Sequence, residues 1–320
     1  MIRFFPVIIV TGLIACAQAP AQLAKEQSVS QPQNGLQPDA APIGEIALHP
    51  YNAGLQSVTI EVGGHERRFL FDTGGGLTIV SPGVAKGAGC LAFGRLTGHR
   101  MSGQRIDFMR CEGIAMKVGP LELQSRSVAV MDIGSLLPPD WPPVDGMISL
   151  ETLREVPFTL DLAGGRIILE TPQSLKVRVA NMKSVPMRLS QVAGGASLDV
   201  FVMVPTQLGD AWMMLDTGNV DRVVLAPHTT HMLDLNLDAD GVTKLPGQGG
   251  TPDRWELEEP IRVTGLPPVT TRIAVQEIIY DGNLGAAFVR EFIFTFDIAQ
   301  RKLWATPAAH MMRERSENQR

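Results

Sequence analysis

Two aspartates, Asp72 and Asp216, each open an Asp-Thr-Gly triplet, and the triplets stand 216 − 72 = 144 residues apart. One triplet alone is a weak signal, because Asp and Gly both suit turns. Here each triplet follows an apolar stretch and precedes another. Arg68-Phe-Leu-Phe-Asp72-Thr-Gly-Gly-Gly-Leu-Thr-Ile-Val-Ser-Pro82 parallels Trp212-Met-Met-Leu-Asp216-Thr-Gly-Asn-Val-Asp-Arg-Val-Val-Leu-Ala-Pro227. Two carboxylates at one site share a proton, since like charges a few Å apart cannot both ionise cheaply. One is then a base and the other an acid, and they titrate as a pair. Cleavage of an amide by water needs that combination. Gly74 and Gly218 would let the backbone turn tightly after Thr. The hydroxyls of Thr73 and Thr217 could hydrogen-bond across a twofold axis and hold the turns rigid.

Such a pair needs two equivalent supports, and the chain repeats itself. Asp145-Gly-Met-Ile-Ser-Leu-Glu-Thr-Leu-Arg-Glu-Val-Pro-Phe-Thr-Leu-Asp-Leu-Ala aligns without a gap on Asp281-Gly-Asn-Leu-Gly-Ala-Ala-Phe-Val-Arg-Glu-Phe-Ile-Phe-Thr-Phe-Asp-Ile-Ala, at an offset of 281 − 145 = 136. A duplication of this kind decides the fold. Each copy reads mostly as strands: Leu55 to Val62, a Gly63-Gly64 turn, then Arg67 to Phe71. In the second copy Leu198 to Val204 and Trp212 to Leu215 take the same parts. Thr152 to Glu155 and Ala286 to Glu291 are short helices, followed by strands at Phe158 to Leu162 and Phe292 to Ile298. The expected fold is all-β with few short helices. It consists of two similar β lobes related by a pseudo-twofold axis. The lobes span 43–172 and 184–307, with a linker at 173–183 and a polar tail at 308–320.

At these residues the sequence resembles the retropepsin and pepsin superfamily of aspartic proteases, and most of all its bacterial branch similar to viral gag-pol proteases. Phe71-Asp72-Thr73-Gly74 and Leu215-Asp216-Thr217-Gly218 carry the likeness, and Asn283-Leu284-Gly285-Ala286 fits part of the family's second signature. The resemblance implies an aspartic endopeptidase in which Asp72 and Asp216 activate water to cleave a peptide or protein substrate, with no metal and no cofactor. It also implies a β-hairpin flap over the cleft. Met101-Ser102-Gly103-Gln104 lies where lobe one should carry it, with Gly247-Gln248-Gly249-Gly250 as the counterpart in lobe two. Gly75, Asn219 and Ser149 depart from the family pattern. They support an alternative, a non-catalytic peptide-binding protein on the same fold.

The 320 residues carry a formal net charge of −5 and a sequence pI of about 5.7, which gives no electrostatic case for nucleic acid. The pseudo-dimer within one chain implies a monomer. Residues 1–16 read as an export signal. Phe4 to Ile14 is too short an apolar run to span a bilayer, and Leu13-Ile14-Ala15-Cys16 resembles the lipobox of bacterial lipoproteins. That implies lipidation at Cys16, a flexible tether over 17–42, and a periplasmic protein anchored in a membrane, the outer one by preference. Cys90 and Cys111 read either as a disulfide, which the periplasm permits, or as two buried thiols. His228 and His231 lack a third metal ligand and read as a solvated pair. Asn236 to Gly241 imitates a calcium loop but has Gly247 where Glu is required. Asp161 and Asp297 read as strand-to-turn caps.

Overall fold

The structure, a computed structural model, describes residues 40–220, 223–247 and 253–309, which fall within one unit, 38–320. Cys16, Gln248 and Gly249 lie outside the described residues. The chain is an all-β protein of two lobes, and the repeat in its sequence becomes a repeat of strand order.

In the first lobe, Gln56–Val62 and His65–Phe71 form an antiparallel hairpin. Its turn falls at Gly63 and Gly64, whose φ values of 60° and 75° glycine adopts without penalty. Gly146–Ile148 then runs parallel to the second hairpin strand and antiparallel to Ile79–Val80, which pairs parallel with Val128–Val130. The second lobe repeats the plan. Asp199–Thr206 pairs antiparallel with Gly209–Asp216, and Gly282–Gly285 runs parallel to the latter. Val223–Leu225 is antiparallel to Gly282–Gly285 and parallel to Val269–Val275.

The lobes share a six-stranded sheet. There Phe158–Asp161 pairs antiparallel with Phe292–Asp297, placing Thr159 opposite Thr295, Phe158 opposite Phe296 and Leu160 opposite Phe294. Thr159 and Thr295 are equivalents at the 136-residue offset, so the pseudo-twofold axis passes between them. Their hydroxyls are 2.9 Å apart, and the Phe158 and Phe296 rings stack at 4.8 Å. Seven phenylalanines of the two lobes, among them Phe69, Phe71 and Phe294, are fully buried and supply much of the apolar area that offsets the entropy of ordering the chain.

The residues expected to form a linker contain a helix, Pro172–Val179. Its start is fixed by a reciprocal cap between Thr171 and Ser174, with Pro at the first helical position. Cys90 and Cys111 form a disulfide with Cα atoms 6.1 Å apart. Asp161 and Asp297 each cap a strand-to-turn corner, accepting the Gly164 amide at 2.7 Å and the Gln300 amide at 3.0 Å. His228 reaches Asp281 at 3.1 Å.

Candidate functional site

The paired strands end at the interface between the lobes and deliver the two Asp-Thr-Gly turns face to face. Parallel pairing supports each turn: the Asp72 amide donates to the Ile148 carbonyl at 3.0 Å, and Asp216 lies in register with Gly285. Four hydrogen bonds then lock the turns together. The Thr73 amide donates to Thr217 Oγ1 at 3.0 Å, and the Thr217 amide donates to Thr73 Oγ1 at 3.0 Å. The Thr73 hydroxyl donates to the Leu215 carbonyl at 2.8 Å, and the Thr217 hydroxyl to the Phe71 carbonyl at 3.1 Å. Both threonines are buried, so this network satisfies polar groups that water does not reach.

The carboxylates of Asp72 and Asp216 meet between these turns. The single Gly218 N–H lies 3.2 Å from Asp72 Oδ1 and 2.9 Å from Asp216 Oδ1, bridging the pair. The donors are shared unevenly. Asp72 also accepts from the Gly74 amide at 2.8 Å, whereas Asp216 accepts from the Asn219 amide at 3.1 Å and from Asn283 Nδ2 at 2.6 Å. Donors favour a charged carboxylate, and Asp216 has one more of them than Asp72. Burial first, and then the neighbouring Asp216 charge, push the Asp72 carboxyl well above the usual carboxylate range.

The residues that depart from the expected pattern fit their places. A Cβ on Gly75 would meet the Met147 methyl group and come within 3.2 Å of the Asp72 carboxyl carbon, so a larger residue there would require the Met147 side chain to move. Asn219 donates through Nδ2 to Asn283 Oδ1 at 2.7 Å, holding Asn283 on Asp216. Ser149 is buried and tied to Thr78, its amide donating to Thr78 Oγ1 at 3.1 Å.

Beside the pair opens a cavity of about 460 Å³, the size of a small-molecule site. Leu77, Ile106, Phe108 and Met131 form its apolar wall, and Asp199 and Tyr280 its polar side. The hairpin Phe93–His99 and Arg105–Cys111 roofs it. Ser102 and Gly103 lie in the turn at its tip, where Gly103 adopts φ 80°. The tip touches the second lobe: the Ile279 amide donates to the Met101 carbonyl at 3.0 Å.

Two site residues were given no role at the site by the sequence reading. Asn283 stands where the otherwise gapless repeat has Met147, and that mismatch was the available signal. Asp199 looks like the start of an ordinary strand. It is 8% exposed, and burial, followed by the Asp216 charge, pushes its carboxyl up to about 7. Tyr280 is likewise pushed up to about 12, by burial and then by the charges of Asp199 and Asp216.

No model of a protein family matches the sequence, and no curated protein matches it significantly. Its fold defines it as a two-lobed all-β protein with a cleft between the lobes. Among solved structures it is similar to the basic 7S globulin from soybean, at 13% identity over 83% of this chain and 94% of that one, with a TM-score of 0.50. It is also similar to conglutin gamma, a basic 7S globulin from lupine seeds, at 12% identity over 83% and 95% of the two chains, with a TM-score of 0.51.

These neighbours correct the expected kinship. The likeness runs to seed globulins and not to the retropepsin and pepsin proteases. With it fall the expected aspartic endopeptidase and hydrolase activity, and also the peptide-binding alternative. The physical reason is that a duplicated lobe with paired turns specifies an architecture, and an architecture does not specify a chemistry. At this identity the likeness shows the fold alone.

Proposed function

We propose that this chain is a binding protein whose interlobe cleft takes a small apolar molecule and fixes it by a hydroxyl group on the Asp72–Asp216 pair. The observation that carries this reading is the carboxylate pair bridged by the Gly218 amide beside a mostly apolar cavity. A pair holding one proton presents one O–H donor and one carboxylate acceptor. A hydroxyl group is complementary to both at once, whereas an ether can only accept. The apolar wall supplies affinity through burial, and the pair supplies orientation.

The test compares 1-hexanol with hexyl methyl ether by calorimetric titration of the full chain. The alcohol should bind about tenfold more tightly, the worth of a hydrogen bond to a charged group. Asp72→Ala should abolish that difference. Equal affinities for alcohol and ether in the unaltered protein would overturn the reading.

A further inference from the structure

The cavity contains an acid that the carboxylate pair does not use. Asp199 begins the strand Asp199–Thr206, whose register places Phe201 opposite Met214. Continued by two residues, that register sets Asp199 opposite Asp216, so the two side chains lie on one face of the sheet. The equivalent register in the first lobe, with Gln56 opposite Phe71, sets Leu55 opposite Asp72. The pseudo-twofold axis therefore relates an acid to a buried leucine, and the site is asymmetric at this point.

Asp199 is more than nine-tenths buried and lines the cavity. Its carboxylate makes no hydrogen bond or ion pair among the described residues. Gly76 of the first lobe lies against it: a Cβ built there would be 3.4 Å from Asp199 Oδ1. The Leu198 amide donates to the Gly76 carbonyl at 3.0 Å, holding this edge of the cleft closed. The carboxylate thus projects from a braced backbone into the cavity. Buried polar groups in folded proteins are ordinarily satisfied, and an ionised carboxylate without a partner is costly. A group that supplies the missing partner in the complex recovers that cost.

We propose that Asp199 is the cation-recognising group of the cleft, selecting ligands that carry a protonated amine. The proposal rests on the cleft being a ligand site and names the class of ligand it prefers. Tyr280, with its ring edge-on to Phe201 at 5.3 Å, would flank the bound ammonium. The elevated carboxyl of Asp199 adds a pH signature. Amine binding needs the carboxylate ionised, so affinity should rise about tenfold per pH unit up to about 7 and level off above it. Tyr280 and His99 line the same cavity, and the charges of Asp72 and Asp216 lie close enough to act on Asp199 or be acted on by it, so the pH profile of an Asp199→Asn variant isolates the contribution of Asp199.

The experiment titrates the full chain with hexylamine and 1-hexanol at pH 8 and repeats both with Asp199→Asn and Asp199→Ser. The amine should bind about tenfold or more tightly than the alcohol, as a charge-assisted hydrogen bond requires. Both variants should lose that preference while keeping a cooperative thermal transition. Alcohol binding with no amine preference, or a preference that survives both substitutions, would overturn this inference and leave the hydroxyl-binding reading standing. Amine binding that is lost in the variants, in a protein that ignores the alcohol, would support Asp199 as the cation site and overturn the hydroxyl reading. If neither probe binds, both are overturned.

Discussion

At the scale of single residues the site is a problem of close approach. Gly74 and Gly218 face each other's aspartates: a Cβ on Gly74 would overlap the Asp216 carboxyl, and one on Gly218 would overlap the Asp72 carboxyl. Neither has room to shift, because the four threonine hydrogen bonds fix both turns. Gly218→Ala should therefore destabilise the fold by about 1–3 kcal/mol through overpacking. Gly87→Ala, at a helix end with no atom within 4 Å of a built Cβ, should be neutral or slightly stabilising. Denaturant unfolding of the two variants checks this, and equal effects would refute the steric account. The triplets themselves were legible in the sequence because Asp-Thr-Gly is a local pattern. The tight fit at Gly75 was not, since the Met147 methyl that a side chain there would meet comes from 72 residues further on. Asp199 was illegible for the same reason, because the Asp216 charge that acts on it comes from the facing strand and not from its neighbours along the chain.

At the scale of elements, the hairpin that roofs the cavity is held at both ends. Its tip accepts a hydrogen bond from the second lobe through the Met101 carbonyl. Its base is tied by the Cys90–Cys111 disulfide. Arg110, within the second hairpin strand, lies over the Phe93 ring at 4.7 Å. Much of the hairpin surface is exposed, as its alternating burial shows, so packing alone holds it weakly. A bridge across 21 residues should stabilise the protein by about 3 kcal/mol through the unfolded chain. Replacing both cysteines by serine should lower the unfolding free energy by about that amount and remove the protein's sensitivity to reductant. Unchanged denaturant midpoints, with and without dithiothreitol, would refute this. Alternating apolar residues made the strands legible to within a few residues: Leu55 to Val62 is observed as Gln56–Val62 and Trp212 to Leu215 as Gly209–Asp216. The helix Pro172–Val179 was missed although Thr171-Pro172 signals a start, because its apolar periodicity is weak.

At the scale of the whole molecule, the duplication was the legible feature, and it carried the architecture. The gapless match predicts that Thr159 and Thr295 are equivalent, and an axis relating equivalents must pass between them where they pair. What the repeat could not carry was the chemistry, which depends on where the two halves differ. Asn283 replaces Met147, Asp199 replaces Leu55, and each departure puts a polar group on one side of the cleft alone.

This asymmetry has a consequence for folding. Asp72 and Asp199 both have their carboxyls raised in the folded state, chiefly by burial. An acid raised in this way favours folding while protonated. Its contribution is fully present below its ordinary value of 3.8, and is lost as pH rises through the folded value, about 7 for Asp199. Moving one carboxyl from 3.8 to about 7 corresponds to about 4 kcal/mol against the folded state at pH 8. His99 and Tyr280 line the same cavity and the Asp72–Asp216 pair lies beside it, so the comparison must be made within one background. Asp199→Asn should therefore raise the melting temperature by several degrees at pH 8 and change it little near pH 4, where the native residue is already protonated. Thermal unfolding followed by circular dichroism at the two pH values measures the difference. An equal shift at both would mean that Asp199 titrates as an ordinary surface acid, and the destabilising charge would then have to lie elsewhere in the cleft.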